Sequence, residues 1–337
     1  MGQTPIIKKF NGGHTPIRGG KIKRYKTFGK TGLEVSELCL GTWGIGGAGW
    51  DQNPEETKMD AIRASFEQGV NIFDTAPAYN AGAAERILGE TLEKMGVRKD
   101  VILSTKCGND FENGQYVHCG KRDHILAQCD ASLRNLRTDY IDLYILHWPQ
   151  DDATPEETLG AMMELKKAGK VRFLGLSNHS VAQMEEAAKY ADIDFIQVQY
   201  SMLEREREVE MRYAEAHGMA TMGYGVLGGG LLTGRYRELR TYETMDSRNR
   251  FYKFFREPGW TKAQKLLGVM DEISAARGGV PLSEIAVNWA LQKSFLTTAL
   301  FGTQHRARAI ENCHALDWTL SDADIAKLDQ ALEDFGI

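Results

Sequence analysis

The chain has 337 residues, 42% of them apolar and 26% charged, which excludes intrinsic disorder as the main state. With 41 basic against 46 acidic side chains, the net charge of −5 gives no overall basic field for nucleic acid. Glycine is abundant at 35 residues and proline scarce at 8, a balance that points to tight turns and close backbone approaches rather than to linkers.

At this length the chain can bury about three quarters of its unfolded surface, so it needs no disulfide or metal staple. It allows two ordinary domains or one α/β barrel. Lys8 and Lys9 precede no apolar run of signal-peptide length. No segment approaches the ~20 apolar residues of a membrane helix. The five cysteines (Cys39, Cys107, Cys119, Cys129, Cys313) are odd in number and scattered, which fits reduced thiols. The expected location is therefore cytoplasmic, without membrane or nucleic-acid partners. His118-Cys119 near Cys107 is the one metal-like cluster, but no CxxC pair accompanies it, and loop thiols explain it as well. No metal is expected.

Residues 1–23 mix Gly, Lys, Thr and Pro without periodicity and read as a flexible tail, leaving 24–337 as a single domain. Residues 22–38 read as a hairpin around Gly29-Lys30-Thr31-Gly32. Short apolar runs then recur at 38–42, 71–76, 101–106, 141–147, 171–178, 194–199, 219–224 and 297–302. Helix-period stretches separate most of them. PEETKMDAIRASFEQG places Ala61, Ile62, Ser65 and Phe66 on one face. RDHILAQCDASLRNLR carries Ile125, Leu126, Cys129, Leu133 and Leu136. TPEETLGAMMELKKAGK opens on a Thr154 cap with Pro155 at the first helical position and Glu157 at the capping-box position. Eight strands alternating with helices predict a (β/α)8 barrel with an N-terminal hairpin. The gap between 224 and 297 holds a loop, 225–260, and an additional helix near 261–277. A regular helix, PLSEIAVNWALQK, follows, and SDADIAKLDQALED closes the chain.

Two segments match G-x-G-x-x-G, at Gly44/Gly46/Gly49 and at Gly223/Gly225/Gly228. A dinucleotide-binding Rossmann turn needs the third glycine to open a helix. Gly49 is followed by Trp-Asp-Gln-Asn-Pro and Gly228 by two more glycines and an arginine-rich loop, so both lack the strand–turn–helix context.

A barrel enzyme gathers its chemistry at the C-terminal strand ends. The polar residues there are Asp74 with Tyr79 five residues on, Lys106, His147, Ser177-Asn178, Gln197 with Gln199, and Tyr224. Singly each has a structural explanation, as a cap, a surface cation or a core histidine; together a barrel aims them at one mouth. A tyrosine acts as a general acid near neutrality when its pKa falls, and the Lys106 ammonium, held by Asp74, is expected to lower that of Tyr79. A neutral His147 imidazole can hydrogen-bond a carbonyl oxygen as charge develops on it. The set suits carbonyl reduction with a hydride supplied by a cofactor.

These anchors resemble the aldo-keto reductase superfamily: LGTWG (40–44), NIFDTAPAYN (71–80), LSTK (103–106), DYIDLYILHWP (139–149), GKVRFLGLSNH (169–179), FIQVQYS (195–201) and NWALQ (288–292). The likeness runs from about 24 to 335 and is of the bacterial type, with a likeness also to the potassium-channel β-subunit branch. It implies a catalytic tetrad of Asp74, Tyr79, Lys106 and His147, with hydride transfer from nicotinamide and Tyr79 as general acid/base. It implies a cofactor bed of Asn178, Gln197 and Ser177 at the carboxamide, Tyr224 under the nicotinamide and Thr42 near its ribose. The stretch Gly225, Val226, Leu227, Gly228, Gly230 and Leu232 would wrap the pyrophosphate; in the adenosine-phosphate segment that starts at Gly302, Thr303 and Arg308 would meet the 2′-phosphate, and Glu311 and Asn312 the adenine. The expected cofactor is NADP, with NAD as the alternative. Arg308 favours a 2′-phosphate, Arg306 adding charge nearby. The chain departs from the family in having Gly302 where many members carry lysine and Gly225 where most carry serine.

Trp43, Trp148 and Tyr116 are expected to line a pocket for a small-molecule carbonyl or sugar substrate. Loop 235–257 holds seven basic residues (Arg235, Arg237, Arg240, Arg248, Arg250, Lys253 and Arg256) and reads as a solvated loop or as a lid over the dinucleotide. A nucleotide-sensing regulatory subunit with little turnover, and an unrelated barrel lyase or isomerase, are the competing functions. A homo-oligomer is compatible with the sequence.

Overall fold

The structure, a computed structural model, describes residues 20–22, 24–112 and 115–337. Of the expected tail, all but residues 20–22 lies outside this range or at its undescribed position 23. Within the described part, Ile22 is buried and donates its N–H to the Gln68 carbonyl at 2.7 Å.

The chain opens on β1 (Tyr25–Thr27) and β2 (Glu34–Ser36), paired antiparallel, with Lys26 opposite Val35. Then come β3 (Leu38–Gly41), a single turn α1 (Trp43–Gly46), α2 (Glu55–Gln68), β4 (Ile72–Asp74), α3 (Ala83–Met95) and β5 (Ile102–Cys107). A second hairpin, β6 (Asn109–Glu112) with β7 (Gln115–His118), precedes α4 (Arg122–Asn135), β8 (Ile141–Leu146), α5 (Pro155–Lys167), β9 (Val171–Ser177), α6 (Val181–Ala187), β10 (Phe195–Gln199), α7 (Glu208–Ala216) and β11 (Ala220–Tyr224). Beyond the long connection lie α8 (Ser247–Phe251), α9 (Gly259–Ala276), α10 (Leu282–Leu291), β12 (Thr298–Gly302), α11 (Arg306–His314) and α12 (Asp322–Asp334).

The eight runs singled out in the sequence are β3, β4, β5, β8, β9, β10, β11 and β12. They pair in parallel in chain order, and β12 closes on β3 with Phe301 opposite Leu40. The (β/α)8 barrel is thus the fold. Local chemistry explains its helix boundaries. Thr154 Oγ1 accepts the Glu157 N–H at 3.2 Å to start α5, and Ser321 with Asp324 forms a full capping box on α12. Every residue of α10 is buried, as expected for a helix that is apolar nearly all round. Two elements go beyond the sequence expectation: the hairpin β6–β7 within 109–118 and the short α8 inside the expected loop.

Period-2 alternation sends side chains of each strand to two cores. Leu40, Phe73, Leu103, Tyr144 and Ile196 face the helices. Cys39, Ile72, Ile102, Leu143, Phe195 and Met222 fill the barrel interior, and Phe28, Leu33 and Val35 of the N-terminal hairpin join them there. Phe28 packs on Phe195 with ring centroids 5.3 Å apart. The hairpin therefore plugs the end of the barrel where the strands begin. Two residues further along the same inward-facing rows stand Asp74, Ser104, Gln197 and Tyr224, and Lys106 follows Ser104.

Candidate active site

At the open end, Lys106 Nζ is buried and donates three hydrogen bonds: to Asp74 Oδ1 at 2.6 Å, the Thr75 carbonyl at 2.8 Å and Tyr79 Oη at 3.1 Å. Asp74 Oδ2 accepts from Ser104 Oγ at 2.8 Å and Gln197 Nε2 at 2.9 Å. Each buried charge is thus paired and its remaining capacity used, the condition for tolerating it at all. Tyr79 sits in the turn after β4, where Asn80, Ala81 and Gly82 all adopt positive φ. Asn80 Nδ2 donates to the Gly46 carbonyl at 2.8 Å. A Cβ on Gly46 would stand 2.9 Å from the Tyr79 carbonyl oxygen, so glycine there lets α1 hold the tyrosine in place.

His147 follows β8. Its N–H donates to the Cys107 carbonyl at 3.0 Å and its carbonyl accepts from Asn178 Nδ2 at 3.1 Å. Its ring stands edge-on to Tyr79, centroids 6.0 Å apart, and stacks on Trp148. Burial first, and the Lys106 charge second, push the imidazole well below its usual 6.5, which keeps it neutral at physiological pH. For Tyr79 the direction is opposite to the sequence expectation. Burial, then the Asp74 carboxylate, push the phenol well above 10. The physical reason is that desolvation dominates, and the Asp74 carboxylate that pairs with Lys106 adds to the rise, so the phenol does not face a bare cation.

These groups open on a cleft of about 700 Å³, inside the range of small-molecule sites. The expected residues Thr42, Ser177, Asn178, Gln197, Tyr224, Gly225, Val226, Leu227, Gly230, Gly302, Thr303, Arg308, Glu311 and Asn312 line it, as do Trp43, Tyr116 and Trp148. Gly228 and Leu232 lie behind it: a Cβ on Gly228 would come 3.0 Å from Leu203, and Leu232 packs in the core between barrel and helices.

Several expected groups have protein partners. Asn178, at φ +63, donates to Ser177 Oγ at 3.0 Å and accepts the Tyr224 hydroxyl at 2.9 Å. Thr42 Oγ1 donates to the Asp74 carbonyl at 3.0 Å. Ser283 Oγ donates to Glu311 Oε1 at 3.1 Å. Arg306 is tied to Asp60 and Glu67 on α2, at 3.1 and 2.7 Å, and does not add free charge to the cleft. Arg308 makes no ion pair among the described residues. The departure at Gly225 has a backbone reason: at φ +72, serine would be strained. Gly229 is glycine because a Cβ would press into the Tyr252 ring at 2.8 Å.

Trp50, Gln304, Tyr236 and Tyr252 also line the cleft, beyond the residues expected from the sequence. Gln304 Nε2 donates to the carbonyls of Gly44 at 2.7 Å and Asp51 at 2.8 Å, across more than 250 residues, a contact with no local signal. Tyr236 and Tyr252 lie in the arginine-rich loop, whose aromatic content was the available cue. That loop reaches across to the first glycine segment. Ser247 N–H donates to the Gly49 carbonyl at 2.9 Å, and Arg248 meets Asp246 at 2.7 Å, Asp51 at 3.3 Å and the Tyr236 hydroxyl at 3.0 Å.

Residues 37–333 match the family model described as the aldo/keto reductase family. An aldo-keto reductase of Bacillus subtilis, YhdN, is 37% identical over 310 residues, 92% of this chain and 93% of that protein. An NADH-specific methylglyoxal reductase of Escherichia coli is 32% identical over 326 residues, 90% of this chain and 97% of its own. Among solved structures, a glycerol dehydrogenase from Gluconobacter oxydans superposes with a TM-score of 0.82 at 29% identity, covering 94% of this chain and 96% of that one. No helix among the described residues is long and apolar enough to cross a membrane.

Proposed function

The chain belongs to the aldo/keto reductase family, oxidoreductases of carbonyl and alcohol groups that use nicotinamide cofactors; from that premise we propose that Tyr79 is its general acid/base, acting on an aldehyde, ketone or keto-sugar held against His147. The observation that carries the reading is the Lys106 ammonium bonded at once to Asp74 and to the Tyr79 hydroxyl at the mouth of the cleft.

The cleft's residues fit a dinucleotide. Gly41, Gly225, Gly229, Gly230 and Gly302 line it, so backbone can approach a ligand closely. Because Gln197 spends its Nε2 on Asp74, its Oε1 is left to accept from the carboxamide, with Asn178 and Ser177 beside it. Tyr224 would supply a stacking face, Thr42 would meet the ribose, and Val226, Leu227, Gly229 and Gly230 would offer backbone to the pyrophosphate. Thr303, Arg308, Glu311 and Asn312 would hold the adenosine end. The Arg308 guanidinium, without an ion pair among the described residues, favours NADP over NAD, since a 2′-phosphate would supply its counter-charge.

When bound, the reduced nicotinamide supplies the hydride. The protein's part is to place and protonate the oxygen. Neutral His147 hydrogen-bonds and orients the carbonyl oxygen. Tyr79, kept as a phenol by its buried setting, donates its proton to that oxygen as negative charge develops. Lys106 stabilises the resulting phenolate, and Asp74 fixes Lys106 in place.

Tyr79→Phe tests this. Carbonyl reduction is expected to fall at least a hundredfold, within the usual range for a lost general acid, while cofactor affinity by fluorescence titration stays within twofold. Retained turnover rejects Tyr79 as the proton donor.

A further inference from the structure

The cations of the cleft's covering loop divide into two kinds. Arg237 meets Asp271, Arg248 meets Asp246 and Asp51, and Lys253 meets Glu204 and Glu206. Arg235, Arg240, Arg250 and Arg256 make no ion pair among the described residues; of these, Arg235 and Arg250 line the cleft, and Arg250 is the one that reaches the rings beside Trp43 and Tyr79. Its guanidinium carbon lies 5.7 Å from the Tyr116 ring centroid and 5.5 Å from that of Phe251.

Those two rings belong to one aromatic wall. Tyr116 and Phe251 are 6.4 Å apart, Phe251 meets Trp43 edge-on at 5.0 Å, and Trp43 stacks on Tyr79 at 6.3 Å. The wall therefore runs from the phenol assigned to proton transfer out to Arg250. Rings hold a guanidinium by its face. Among the described residues no acceptor meets the Arg250 N–H groups, and that planar fork matches a carboxylate or phosphate.

We infer that Arg250 selects carbonyl substrates bearing an anionic oxygen group, a carboxylate or a phosphate, placed across the aromatic wall from Tyr79. The inference rests on the carbonyl-reducing reading of this cleft and names its substrate class. The anion would lie at the rim, where solvent screens the pair, so the gain is moderate and falls with ionic strength.

The test uses the full chain with NADPH and three aldehydes of one shape: benzaldehyde, 4-carboxybenzaldehyde and 4-formylphenyl phosphate. The wild type is expected to prefer at least one anionic aldehyde about fivefold or more in kcat/KM, mainly through KM. Which one it prefers separates carboxylate from phosphate. Arg250→Gln should collapse that ratio, Arg250→Lys should keep part of it, and Arg250→Glu should invert it. Quenching of tryptophan fluorescence by each aldehyde, measured with the oxidised cofactor in place of NADPH so that no hydride is available, reads the same charge preference without turnover. Absence of turnover on all three thus sinks the activity assignment, while the charge preference is still decided by binding. Equal binding and turnover of neutral and anionic aldehydes overturns the inference. So does an Arg250→Gln protein that keeps the preference, or one that loses NADPH affinity instead, which would assign Arg250 to the dinucleotide.

Discussion

The two ends of the barrel are built from the same strands with the same alternation, yet they differ in chemistry. Where the strands begin, inward positions are Ile72, Ile102, Leu143 and Phe195, sealed by Phe28, Leu33 and Val35. Where they end, inward positions are Asp74, Lys106 and Gln197, bonded to one another over a cleft. A change of residue type two positions along a strand turns packing into a charged network. The apolar end holds the strands in register so that the polar end can keep hydrogen bonds near 3 Å across separate strands, which is how a rigid scaffold pre-organises a site.

The sharpest break of this comparison is Lys106→Met. It leaves Asp74 buried without its cation, so we expect a loss of about 3–5 kcal/mol in stability by denaturant titration and of at least a hundredfold in turnover. A folded variant with near-normal activity would show that the polar end is packing after all. Phe28→Ala should cost about 3–5 kcal/mol while kcat below the melting transition changes little; a large fall in kcat would mean that the two ends are coupled.

The third expectation concerns pH. His147 is held neutral by burial and protonates only well below 6.5, and Tyr79 stays protonated until well above 10. Both are then in the form reduction needs throughout that interval, so kcat for reduction should be flat between pH 6.5 and 10, with loss on the acid side from His147 and on the alkaline side from Tyr79. A titration near neutrality would place the proton on another group. The smallest effect is expected from Arg248→Ala, which removes the ion pairs to Asp51 and Asp246. Cofactor release, followed by stopped-flow fluorescence, should quicken a few-fold, since the pair that ties the loop to the solvent-exposed Asp51 carboxylate contributes about 1 kcal/mol or less.

Much of this was readable in the chain itself. Eight apolar runs separated by helix-period stretches could form few folds other than a parallel barrel, because handedness and crossover length prune the alternatives. The hairpin around Gly29 to Gly32 and the helix starts at Thr154 and Ser321 follow local rules of φ and capping. The polar strand ends at Asp74, Lys106 and His147 stood out against apolar strand bodies. The hairpin at 109–118 did not, although it brings Tyr116 and His118 to the mouth and Asn113-Gly114 is a tight-turn pair in the sequence, because the flanks NDFE and QYVH are short and carry no strong alternation.

What the sequence determined by itself was the period, order and type of each element, since these are properties of neighbouring residues. Tertiary structure alone decided which groups are spent and which are free. Gln197 turns its amide nitrogen to Asp74, 123 residues away; Arg306 is claimed by Asp60 and Glu67; Arg248 is clasped by Asp51. The direction of the Tyr79 shift belongs here too, because it depends on whether Lys106 faces the phenol as a bare cation or as half of a buried pair. Desolvation and pairing are sums over everything within a few ångströms, and the folded chain draws that neighbourhood from residues far apart in sequence.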